Sequence, residues 1–179
     1  MGFSALFRKK GKIKSMIVLG IDPGYAIVGY GVLEMKNSRY RTLEHGAVTT
    51  KAGVEFNRRL EIIYDGLTEI FKRYRPDAVS VEKLYFSNNK TTGIGVAEAR
   101  GVILLAAQKA GVPVFEYTPV QVKLAVTGYG KALKPQVMEM TRRLLGLKEV
   151  PRPDDTADAL AVAICHCQAS GTALRQFLR

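Results

Sequence analysis

The chain alternates short apolar runs with longer amphipathic stretches, and that order predicts its elements. Residues 17–22 form an uninterrupted apolar run that ends in Asp22 and is closed by Pro23-Gly24. Such a run reads as a strand buried on both faces and bounded by a turn. Residues 26–35 predict a second strand and residues 40–50 a third, joined across the polar Lys36-Asn37-Ser38 turn. Together these three make an antiparallel meander. Gly29 and Gly31 share one face of the second strand and invite close backbone approach. Residues 54–74 carry Leu60, Ile63, Leu67, Ile70 and Phe71 at helical spacing, and Pro76 ends that helix. A strand over 77–84, a helix reaching Ala110 and a strand over 112–117 follow. Thr118 is a good N-cap with Pro119 at the first helical position. Residues 127–133 predict a loop, Pro135 opens a helix to Leu145, and residues 154–168 form a last helix. The order predicts an α/β protein: a five-stranded mixed β-sheet, three strands antiparallel and two parallel, flanked by α-helices.

Length and charge narrow the class. A chain of 179 residues, 47% hydrophobic and 24% charged, fits one globular domain with a sizeable core. Its formal net charge of +11 is a nucleic-acid footprint more than a fold signal. Arg8, Lys9, Lys10, Lys12 and Lys14 supply part of it, but the balance stays basic without them. Residues 1–15 are expected to be a disordered basic extension, or the product of an upstream start codon with Met16 as the natural beginning. Residues 16–170 form the single domain and 171–179 a C-terminal tail. No apolar stretch reaches the roughly 18 residues that span a membrane, and no h-region marks a secretory signal. Cys165 and Cys167 flank His166. Positions i and i+2 of a helix do not face each other, and no second cysteine pair completes a zinc site, so they read as buried core thiols. Reduced thiols suit a cytoplasmic protein.

The chemistry lies in the acids. Asp22 ends strand one, and Glu82 lies at or near the end of strand four. If those strands are adjacent and parallel, the two carboxylates meet. Asp155 and Asp158 are i and i+3, on one face of the last helix, in a first turn where the dipole tolerates negative charge. Four such acids would repel each other without a cation. Oxygen ligands suit magnesium or manganese. Two ions about 3.5–4 Å apart would activate water and stabilise the leaving oxygen of a phosphodiester. Each acid also has a plainer reading: Asp22 as a turn cap, Glu82 as an edge carboxylate paired with Lys83, Asp154 and Asp155 as helix caps. Asp154 is assigned that capping role.

The segments Ile21-Asp22-Pro23-Gly24, Val81-Glu82-Lys83-Leu84-Tyr85, Gln121-Val122-Lys123 and Asp154 through Ala161 together resemble the RuvC family of Holliday-junction resolvases. The resemblance runs from Met16 to about Ser170. It implies an RNase H-like fold and a homodimer that nicks two symmetry-related strands of a four-way DNA junction. It also implies a need for Mg2+ or Mn2+, 5′-phosphate and 3′-hydroxyl products, and branch-migration partners. On it, Asp22, Glu82, Asp155 and Asp158 match the catalytic, metal-binding acids. Some members carry His at the position of Asp155.

The same resemblance matches Lys123 and Lys134 to lysines that contact the DNA backbone, and Tyr85 to an aromatic that handles the junction. Tyr85 and its neighbour Phe86 suit stacking on unpaired bases, worth about 1–3 kcal/mol per base. Lys83, Lys90 and Lys131 are further candidates for phosphate contact. The Gly93-Ile94-Gly95 run lacks the spacing of a phosphate loop and reads instead as close helix packing at a dimer interface. His45 and His166 have no obvious partner. Two other readings stand beside the nuclease: an ATP-using enzyme of the actin and sugar-kinase type, and a non-catalytic junction-binding protein.

Overall fold

The computed structural model describes residues 15–84 and 90–171, with the side chains of 90–92 and 171 left aside. Its strands are β1 (Met16–Asp22), β2 (Ile27–Lys36), β3 (Arg39–Thr49), β4 (Ala78–Glu82) and β5 (Val114–Tyr117). Its helices are α1 (Phe56–Tyr74), α2 (Lys90–Lys109), α3 (Pro119–Thr127), α4 (Lys134–Leu144) and α5 (Asp154–Gly171). The sheet order is β3-β2-β1-β4-β5. The meander β1–β2–β3 is antiparallel, and β4 and β5 run parallel to β1. This is the mixed sheet that the pattern predicts.

The central place of β1 explains its unbroken apolar run. Leu19 and Ile21 join β4 residues Val79 and Val81 against Ile63, Leu67 and Phe71 of α1 and Ile103 of α2. Val18 faces the other way, into a second core with Leu160 and Ile164 of α5 and Val122 of α3. Side chains alternate across a strand, so one strand feeds both layers. Burying Leu160 or Ile164 contributes roughly 2 kcal/mol each.

Local signals set the helix ends. Arg75 takes a left-handed conformation (φ 45°) and its N–H bonds to the Phe71 carbonyl, closing α1 before Pro76. Thr118 and Gln121 form a reciprocal capping box at α3. At α4 the Leu133 N–H donates to Gln136 Oε1 at 2.8 Å, so the helix starts at Lys134, one residue before the predicted Pro135. Lys51–Val54 makes a turn, and α1 begins only at Phe56.

Three glycines decide how α5 sits. Gly20 pairs with Gly31, and Gly29 pairs with Asp22, across β1 and β2. A Cβ would stand 2.0 Å from Ala159 O at Gly20, 2.0 Å from Asp155 O at Gly29 and 2.4 Å from Leu160 Cδ2 at Gly31. The helix answers with buried Ala157, Ala159 and Ala163 and lies almost against the sheet backbone. Thr156 anchors its start, donating to the Gly46 carbonyl at 3.0 Å.

A Cβ at Gly95 would meet the Tyr25 and Phe56 rings of its own chain at 3.1 and 3.3 Å. One expectation changes. His166 is buried with Nδ1 2.7 Å from the Tyr117 hydroxyl and its ring against Phe115, so it has partners. Cys165 and Cys167 are buried, free thiols, and burial pushes both up to about 12.

Candidate active site

Asp22 and Glu82 are the last residues of β1 and β4, which are adjacent and parallel, with Ile21 opposite Val81. Both carboxylates therefore leave the sheet at the same edge. Asp22 also pairs with Gly29, and Gly29 lies under the Asp155 carbonyl. The first turns of α5 are thus delivered to that edge, bringing Asp155 and Asp158 with them.

The electrostatics follow. Burial, and then the charges of Asp158, Asp155 and Glu82, push the Asp22 carboxyl up to about 8, against the opposing field of Lys134. Burial and Asp158 raise Glu82, opposed by Lys123 and Lys134. Lys134 Nζ lies 2.9 Å from Asp158 and 3.8 Å from Asp154. Glu82, Lys123, Lys134 and Asp158 line a cleft of about 170 Å3, walled by Pro119, Val122 and Val137. Asp154 departs from its predicted cap role. It lies inside the first turn of α5, and its carboxylate pairs with Arg152 and Lys134.

The donor set fits a hard divalent cation. It is all carboxylate oxygen, and burial together with the charges of Asp158, Asp155 and Glu82 opposes ionisation of Asp22, a cost that a bound cation would offset. In this conformation no three His, Cys, Asp or Glu among the described residues draw together closely enough to hold an ion. Asp158 instead bonds to Lys134.

The structure thus brings together Asp22, Glu82, Asp155 and Asp158, with Lys134 among them and Lys123 beside Glu82. Lys83 and Lys131 are exposed. Lys90 opens α2, but its side chain lies outside the described residues, as do Tyr85 and Phe86 entirely. Sequence reasoning gave Lys134 to DNA and missed its ion pairs with the acids. A lysine in the first turn of a helix, against the dipole, was the available signal. It also missed Gly20 and Thr156 as supports of α5. The Gly20–Gly31 pairing that would have found Gly20 becomes visible only with the strand register.

The family model of crossover junction endodeoxyribonuclease RuvC matches residues 18–166, a span that holds all four acids. The chain belongs to the RuvC family. RuvC of Rubrobacter xylanophilus is 56% identical over 156 residues, 87% of this chain and 87% of its own length. RuvC of Clostridioides difficile is 56% identical over 155 residues, 87% of this chain and 92% of its own. The solved structure of T. thermophilus RuvC in complex with Holliday junction substrate superposes with a TM-score of 0.83 at 42% identity, covering 87% of this chain and 94% of that one. A yeast mitochondrial Holliday junction resolvase, 16% identical with a TM-score of 0.62, shares the RNase H-like fold. RuvC membership decides against the ATP-using alternative. No described helix is long and apolar enough to cross a membrane.

Proposed function

We propose that this chain is a crossover junction endodeoxyribonuclease that resolves four-way DNA junctions by paired symmetric nicks in recombination and repair. The observation that carries the reading is the meeting of Asp22, Glu82, Asp155 and Asp158 at one edge of a RuvC-family sheet. Those four acids would hold Mg2+ or Mn2+, two ions per site. When bound, such ions supply charge neutralisation and water activation at the phosphodiester.

The chain's own residues do the rest. The rigid strand ends of β1 and β4 orient two acids, and the glycine-seated start of α5 orients the other two. Lys123, Lys131 and Lys134, with Lys83 and Lys90, hold backbone phosphates around the cleft. Tyr85 or Phe86 stacks on unpaired bases at the junction centre. Two nicks on a symmetric substrate need two sites, hence a C2 homodimer. The products carry 5′-phosphate and 3′-hydroxyl ends, and a branch-migration complex is the expected partner. Residues 16–170 act as the nuclease domain, with 1–15 and 171–179 as extensions. A DNA substrate and free Cys165 and Cys167 support a cytoplasmic location.

The test is a synthetic four-way junction with Mg2+. Wild type should give paired symmetric nicks, while Asp22→Asn should bind the junction and leave it intact. Cutting by Asp22→Asn at the wild-type rate would overturn the site. Binding by wild type without cutting, in either metal, would favour the non-catalytic reading.

A further inference from the structure

We propose that Lys134 is a tethered counter-cation of the acid cluster, and that it must release Asp158 before Asp158 can serve a divalent ion. The inference rests on the metal-site reading above and adds a gate to it. Lys134 sits at the first position of α4, where the helix dipole disfavours a cation and no acid of that turn compensates. Its backbone is held there by the Leu133–Gln136 cap, with Pro135 next. The charge is balanced across space instead, by Asp158 at 2.9 Å and Asp154 at 3.8 Å. The field of Lys134 also reaches Asp22 and Glu82. One ammonium thus serves Asp22, Glu82 and Asp158 together, as an ion would.

The pairing and the ion compete for the same carboxylate. Two positive charges on one Asp158 repel, so ion entry favours departure of the ammonium. The Lys134 side chain is 53% exposed, so its head can swing into solvent with its backbone in place. A DNA phosphate at the cleft mouth would receive it. Coupling is reciprocal: phosphate that draws Lys134 away tightens ion binding by the factor with which the ion tightens phosphate contact. The site would therefore load weakly without DNA and strongly with it.

The experiment uses the full chain without DNA. Mn2+ binding is followed by the paramagnetic resonance of the free ion, for wild type, Asp22→Asn, Lys134→Gln and Lys134→Arg. Lys134→Gln should bind Mn2+ about 10-fold more tightly than wild type, and Lys134→Arg should stay near wild type. Because loss of a nearby charge alone would tighten binding, the 15N signal of the Lys134 ammonium is followed in wild type during Mg2+ titration. It should move as the Asp158 hydrogen bond breaks. If Asp22→Asn and wild type bind Mn2+ alike, the metal-site reading itself fails. If Asp22→Asn weakens binding but Lys134→Gln does not tighten it, or the ammonium signal stays put at saturation, the gate is overturned and the site reading stands.

Discussion

Gly29 of β2 lies beneath Asp155 of α5, so close that a Cβ on it would stand 2.0 Å from the Asp155 carbonyl oxygen. The missing side chain sets the height of the helix above the sheet. Because Asp22 is the cross-strand partner of Gly29, that height also sets how near Asp155 comes to Asp22.

Gly29→Ala should therefore damage both stability and catalysis. Overpacking of this kind costs about 1–3 kcal/mol, and a raised α5 pulls Asp155 and Asp158 off the strand edge. Urea denaturation should show the loss, and junction cleavage should fall at least about 10-fold, the effect of one added barrier of 1.4 kcal/mol. Gly101→Ala is the control: it lies in α2 with open space beside it and should stabilise by about 0.5–1 kcal/mol. Cleavage at the wild-type rate by Gly29→Ala would mean that close seating does not position the acids.

Without divalent ions, stability should fall as pH rises from about 4 to about 8. The unfolded Asp22 ionises near 3.8, whereas the folded carboxyl keeps its proton to about 8. Between those values the native state binds more protons, so raising pH favours unfolding, by at most about 1.4 kcal/mol per pH unit. The cluster shares this titration. Urea midpoints measured in EDTA should slope downward for wild type and flatten for Asp22→Asn. Parallel curves would show that Asp22 ionises normally.

Lys123 lines the same cleft as Glu82 and is partly exposed. If it holds a phosphate, Lys123→Ala should reduce the slope of log binding constant against log salt by about one. Junction binding measured across a salt series reads this directly. An unchanged slope would leave Lys123 as a local counter-charge for Glu82.

Much of this molecule was legible because its local signals agree. The apolar run before Asp22 predicts a doubly covered strand, and β1 is the middle strand of the sheet. Thr118-Pro119 and Gln121 announce α3 through their own hydrogen bonds. Asp154 shows the limit. A capping residue type at a helix start looked sufficient, yet Arg152 and Lys134 hold its carboxylate. Those partners come from the preceding loop and from another helix, so residue type alone does not choose between them. His166 likewise gained Tyr117 and Phe115 as neighbours only when β5 docked beside α5.

The sequence by itself determined the element order, the apolar faces and the residue types of the site, because those depend on spacing along the chain. It carried the RuvC resemblance for the same reason. Only the tertiary structure decided that β1 and β4 lie side by side, that Gly20, Gly29 and Gly31 admit α5 to the sheet, and that Lys134 closes on Asp158. Each of these is a contact between segments far apart in the chain. Its energy depends on distance through space, which no local pattern encodes.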